Sequence, residues 1–207
     1  MEKKRLILTT ILILFICQIS FSQRYQKTVP NNLKISFSIN DNILTNKCKQ
    51  VTVTKIGNKW LIQSQDKTNL ESQYTYVEID EDGYVEYRAE KEDEEDWRIV
   101  PTFKGETAYY DFIGPSDAED LFWGILPDGK YDNTCKPTGE EGIICEKKYV
   151  VYFNPSNPRY TIALEPETQL TLKYLIYDDE HRTKEIYHME VISWDTNITS
   201  FDMLLPK

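Results

Sequence analysis

The stretch Leu33-Lys34-Ile35-Ser36-Phe37-Ser38-Ile39 decides the fold class. Apolar residues take every second position, and Lys or Ser the positions between. Successive side chains of a strand point to opposite faces, so this segment builds one apolar and one polar face. The same alternation recurs along the chain. Residues 48–56 and 60–65 flank Gly57-Asn58, a tight hairpin signal. Residues 74–79 and 84–88 flank Asp82-Gly83, and residues 97–103 and 107–112 flank Lys104-Gly105-Glu106. Residues 143–153 read as one strand before the loop Asn154-Pro155-Ser156-Asn157-Pro158. Residues 159–164 turn at Pro166 into 169–177, and Asp178-Asp179-Glu180-His181 turns the chain into 184–194. Residues 195–207 form an irregular tail.

One helix interrupts this pattern. Ser116-Asp117-Ala118-Glu119 is a capping box after Pro115, and Ala118, Leu121, Phe122, Ile125 and Leu126 recur on one helical stripe. Pro127-Asp128-Gly129 stops it. A helix of about ten residues is not stable alone in water, so its stripe must pack on the sheet. The expected fold is therefore mainly β: a single curved antiparallel sheet with at least one helix on its concave face.

The N-terminus carries an address. Lys3, Lys4 and Arg5 precede an apolar run over residues 6–17, and Ser20-Phe21-Ser22 places small residues before a cut ahead of Gln23. That is the layout of a secretory signal peptide, which assigns 1–22 to the leader and 23–207 to one β-rich domain. The run is short for a membrane anchor, which needs about 20 apolar residues. Lipidation at Cys17 is disfavoured because Phe15 and Ile16 precede it where small residues are needed. The expected location is periplasmic or extracellular, and the processed chain is not integral to the membrane.

The chain has 24 Lys and Arg against 34 Asp and Glu, a net charge of −10. Such a field repels phosphate backbones, which argues against nucleic acid as a partner. Cys48, Cys135 and Cys145 lie beyond the leader. The short Pro/Gly-rich separation of Cys135 and Cys145 makes a disulfide between them the first expectation, with the other two pairings open. No C-x-x-C or H-x-x-H spacing occurs, so no metal site is expected.

Catalytic motifs are equally scarce. Asp80-Glu81-Asp82-Gly83 places Ala89 where a calcium loop needs a bidentate Glu, so it reads as a hairpin turn. The run Glu90-Lys91-Glu92-Asp93-Glu94-Glu95-Asp96 reads as a solvated loop. His181 falls in an expected turn and His188 in an expected strand. Nothing resembles a nucleophile elbow or a nucleotide-binding loop. No catalytic residue and no cofactor are assigned. The 14 Tyr, 8 Phe and 4 Trp suit sheet cores, or a concave aromatic surface for an apolar or carbohydrate ligand.

From Ser116 onward the order of elements resembles the LolA/LolB-type lipoprotein carriers. The resembling pieces are the helix 117–126, the strands within 143–194, and the coil Asn197-Ile198-Thr199-Ser200-Phe201-Asp202-Met203-Leu204-Leu205-Pro206. The resemblance covers about half the chain and implies a strongly curved sheet wrapped over helices around a hydrophobic cavity. Residues 24–32 lack the family's helical start, residues 48–112 are unusually acidic, and no family site residue carries over. The function expected is an exported, non-catalytic binding protein for an apolar or acyl-chain ligand, with Leu121, Phe122, Ile125 and Leu126 as ligand-binding wall. The alternative is a secreted glycan-binding or glycan-cleaving protein.

Overall fold

The computed structural model describes residues 29–42, 47–80, 85–103, 136–155, 157–168 and 170–206. They form one antiparallel sheet of 11 strands. In chain order these are β1 (Asn32–Asp41), β2 (Lys47–Ile56), β3 (Lys59–Asp66), β4 (Ser72–Ile79), β5 (Val85–Glu92), β6 (Arg98–Ile99), β7 (Lys136–Ile144), β8 (Lys147–Asn154), β9 (Asn157–Leu164), β10 (Thr171–Tyr177) and β11 (Glu185–Asp195). Two meanders compose the sheet. β1 to β6 run side by side in one direction, β11 to β7 in the other, and β1 pairs with β11 to join them. β6 and β7 are the two edges, so the sheet is open.

The opening stretch sits at this junction. Leu33, Ile35 and Phe37 are buried to 2% exposure or less. Register carries their face across the sheet. Ile35 pairs with Val53, Val53 with Ile62, and Lys55 with Trp60 in one direction. Ile39 pairs with Met189, Met189 with Tyr174, and Tyr174 with Ile162 in the other. The core therefore lies on one face, from Val77 through Trp60, Ile35 and Met189 to Leu164.

That face is concave. β8 and β11 are separated by β9 and β10, about 14 Å along a flat sheet. Yet Lys147 Nζ lies 5.2 Å from the Trp194 ring, and Cys145 Sγ lies 3.8 Å from Val191 O. Only strong curvature brings the β7–β8 turn over β11.

Local chemistry explains most boundaries. Gly57 takes φ 61°, the positive value that a two-residue hairpin beginning with glycine requires. Two expectations need correction. Residues 143–153 are not one strand, because Cys145 and Glu146 take φ 49° and 64° and turn β7 back along β8. Neither residue is a usual donor of that conformation, so the turn had no signal in the sequence. The Cys135–Cys145 disulfide is also absent: Cys145 is a free thiol. The intervening segment is not a loop but edge strand β7, where Pro137 is tolerated. Lys136 pairs with Phe153 and Ile144 with Lys147, so the strand ends lie about 20 Å apart. A disulfide needs Cα atoms within about 7 Å. Of residues 97–103, only Arg98–Ile99 pair as a strand. The expected strand 107–112, the helix 117–126 and Cys135 lie outside the described residues, among which no helix occurs.

Candidate functional site

The concave face is not uniform from end to end. Leu33, Ile35, Phe37, Val53, Trp60, Met189, Val191, Leu172 and Leu164 are buried. One step further along the same strands, Ile39, Val51, Ile62, Tyr187, Ile176, Tyr160 and Tyr152 are only partly buried. Within each strand these residues lie on the side away from the β2–β3 turn, in a staggered line: Ile62 is level with Val53 and Val51 with Phe37, while Tyr187, Ile176 and Tyr160 lie furthest out. The apolar face is thus more closed toward the end holding the β2–β3 turn and half-open toward the other, although Trp194, level with Ile35, is also only partly buried. Tyrosines concentrate toward the half-open end. Tyr160 and Tyr174 stack with centroids 6.4 Å apart at 15°, and Tyr174 meets Tyr187 edge-on at 5.8 Å. Such rings present an apolar body with a polar tip, the composition suited to a wet rim.

Lys55 stands at the closed end, opposite Leu33 and Trp60, and is 7% exposed. Its ammonium donates to Pro30 O at 2.9 Å and Asn31 O at 3.3 Å, and lies 5.6 Å from the Trp60 ring. No carboxylate among the described residues pairs with it, and burial lowers its pKa. The charge ties the segment entering β1 onto the sheet. Cys145 lies at the same end, and burial, then the charges of Glu190 and Glu146, push its thiol pKa up. That favours an inert thiol over a nucleophile.

The outer face divides differently. Over β3 to β5, Leu61 pairs with Tyr76 and Tyr76 with Ala89, and all three are buried. Tyr76 packs edge-on against Tyr87, Trp97 and Phe201 at 6.0, 6.4 and 6.5 Å. Phe201 comes from the C-terminal tail. The tail is held by Trp97 Nε1 donating to Leu204 O at 3.2 Å, by Asn32 Nδ2 donating to Ile198 O at 3.1 Å, and by the Lys34–Asp202 ion pair. Tyr76 OH donates to Glu78 Oε1 at 2.5 Å, and burial with this bond raises its pKa well above the usual phenol value.

Over β8 to β10 the outer face is more mixed: Thr161 and Ala163 are buried, whereas Lys173, Leu175 and Tyr177 are partly exposed. A cleft of about 300 Å³ opens there, with Tyr149, Thr161, Lys173, Tyr177, Arg182 and Glu185 in its wall. Arg182 belongs to the β10–β11 loop. Thr183 donates to Asp179 through its N–H at 3.1 Å and its hydroxyl at 2.7 Å, and Lys184 N donates to Asp178 Oδ1 at 3.2 Å. Arg182, at φ 58°, turns back over the sheet. Its guanidinium carbon lies 5.6 Å from the Phe153 ring and 6.0 Å from the Tyr177 ring, and Nε donates to Pro158 O at 2.9 Å.

His188 lies on strand β11. Nδ1 is 2.7 Å from Glu185 Oε1 and Nε2 is 3.1 Å from Glu190 Oε2. Among the described residues no three His, Cys, Asp or Glu side chains converge as metal ligands. The acidic residues Glu90, Glu92, Glu95 and Asp96 line a second cleft, of about 320 Å³, near edge strand β6. Its cations are engaged: Arg98 reaches Glu90 at 3.9 Å, and Lys91 lies 5.1 Å from the Tyr74 ring.

Of the residues expected to bind ligand, Leu121, Phe122, Ile125 and Leu126 lie outside the described residues. The half-open tyrosine rim and Arg182 were not anticipated. The rim's signal was available only in part: Tyr160 lies between Arg159 and Thr161 and Tyr187 begins the alternation Tyr187-His188-Met189-Glu190-Val191, whereas Tyr152 sits between Val151 and Phe153. Arg182 had none, since its place depends on a loop folding back over a distant strand.

No family model matches the chain, and no curated protein does either. Solved structures to which it is similar include MucB, at TM-score 0.38 and 13% identity over 86% of this chain and 56% of that one. MucB in complex with MucA(peri) gives TM-score 0.36 and 14% identity over 83% and 52%. The Pseudomonas aeruginosa MucA/MucB complex gives 0.36 and 13% over 83% and 53%. The chain spans about half the length of these structures.

Proposed function

We propose that this chain is an exported, non-catalytic binding protein that takes an apolar or acyl-chain ligand on the concave face of its sheet. The observation that supports this reading is the gradient along that face. Its apolar side chains are mostly buried toward the β2–β3 turn and only partly buried toward the other end, where tyrosines form the rim. A core built for stability alone gains from burying both ends; each fully buried Val, Leu, Ile or Phe contributes about 1.5–3 kcal/mol. Leaving Ile39, Val51, Ile62 and Ile176 half-buried forgoes part of that gain and gives an apolar chain a way in. In this reading Leu121, Phe122, Ile125 and Leu126 supply a further wall, on the strength of their sequence periodicity, and residues 1–22 are removed on export.

The test is native mass spectrometry of the protein purified from its own envelope, with intact mass read at once. A mature chain beginning near Gln23 and carrying a lipid mass is expected. Fluorescent fatty-acid binding should be lost in Ile39→Glu at the half-open rim and weakened in Phe122→Ala. No lipid in the native protein, together with no fatty-acid binding by wild type, sinks the reading.

A further inference from the structure

We propose that the cleft on the outer face of β8 to β10 is a second binding site, for a small polyhydroxylated monocarboxylate of the sugar-acid class. Its volume, about 300 Å³, lies at the lower end of the ~300–1,000 Å³ of small-molecule pockets, which sets the size of the ligand. The recognising group is Arg182. Only its Nε is used, by Pro158 O, and no carboxylate among the described residues pairs with the guanidinium. The two terminal nitrogens keep their N–H groups. Rings on either strand, Phe153 and Tyr177, hold the planar group against the sheet. A fixed guanidinium fork matches the two oxygens of a carboxylate, and the pair is charge-assisted.

The remaining wall narrows the class. Glu140 and Glu185 line the same cleft. The other cation of the wall, Lys173, is paired with Glu190 at 3.5 Å, so these charges oppose a dianion such as phosphate more strongly than a monoanion; Glu185 is engaged by His188 at 2.7 Å, and Glu140 accepts hydrogen bonds from ligand hydroxyls. The hydroxyls of Tyr149, Tyr177 and Thr161 add donors and acceptors around the same space. A plain fatty acid offers its carboxylate but no hydroxyls to this wall, so the site differs in chemistry from the concave face.

The experiment is an NMR titration of the full chain with sodium glucuronate, following the Arg182 side-chain Nε–H and the amides of Thr161 and Leu175. Glucose, propionate and inorganic phosphate serve as comparators. Saturable shifts with glucuronate are expected, with weaker binding of propionate and none of glucose. Arg182→Gln should weaken glucuronate binding roughly tenfold or more, the scale of one charge-assisted pair. The proposal fails if glucuronate leaves these signals unmoved or if Arg182→Gln binds it as well as wild type. It fails as to class if phosphate binds more tightly than glucuronate. The wild-type titration decides these last points without any variant, should Arg182→Gln not fold.

Discussion

The two meanders share one sheet and one concave core, yet treat their outer faces in different ways. In β1 to β6 the outer face is closed by the C-terminal tail, which brings Phe201 onto Tyr76. In β7 to β11 the outer face stays open, and the β10–β11 loop suspends Arg182 above it. The difference lies in what each face offers. Leu61, Tyr76 and Ala89 make an apolar patch that must be covered, whereas Lys173, Tyr177 and Arg182 tolerate water. A single sheet thereby has one outer half covered by the tail and one that carries a cleft.

The sharpest way to break this contrast is to truncate one ring on each side. Tyr76→Ala should cost about 3–5 kcal/mol as a buried aromatic truncation. Tyr177→Ala should cost about 1 kcal/mol, because its ring is half-exposed. Urea unfolding of both variants checks this, and equal losses would erase the distinction between the halves.

Removing only the tail's ring is the next test. Phe201→Ala should cost about 1–2 kcal/mol through lost area and the edge contact with Tyr76. Amide exchange should accelerate from Ile198 to Leu204 and stay unchanged in the β10–β11 loop. Protection that persists in the tail would show that the Lys34–Asp202 pair and the Trp97–Leu204 bond hold it without the ring.

The halves should also respond to opposite ends of the pH scale. Tyr76 has a raised pKa, so the folded state keeps its proton where the unfolded chain loses it. Its contribution is fully present below about pH 10 and is lost as pH rises from there toward the folded value. Asp179 has a lowered pKa, because Thr183 donates to its charged form through side chain and backbone. Its contribution is present above the ordinary carboxylate pKa and is lost as pH falls through the folded value. Alkali should therefore release the tail first, and acid should loosen the Arg182 loop first. NMR signals of Phe201 and Arg182, followed across both ranges, test the order; a common midpoint for both would refute it.

The smallest effect is expected at Gly142. A Cβ there would lie 2.3 Å from the Tyr149 hydroxyl oxygen and 2.4 Å from the ring carbon that bears it. The ring can swing away at the exposed edge, so Gly142→Ala should cost about 1 kcal/mol or less. It should nonetheless displace Tyr149 from the cleft and weaken glucuronate binding. Unchanged binding would remove Tyr149 from the recognition set.

The sequence by itself determined the strands, because alternation with period two has one structural meaning when half the positions are apolar. It showed the 33–39 strand, the hairpin at Gly57-Asn58 and the turn before β11, each from local residue chemistry. Tertiary structure alone decided that β1 pairs with β11, since a partner some 150 residues away leaves no trace in local periodicity. It also decided that residues 136–144 form an edge strand of the described sheet and not the loop whose shortness suggested a disulfide. Curvature belongs to the same class, because it is a property of the whole sheet and carries the Cys145 turn over Val191. Arg182 sits over Phe153 and Tyr177 because the β10–β11 loop folds back across the outer face, which is equally non-local. Neighbouring residues specify a side chain's face, but only the folding of a distant strand beneath it supplies its partners.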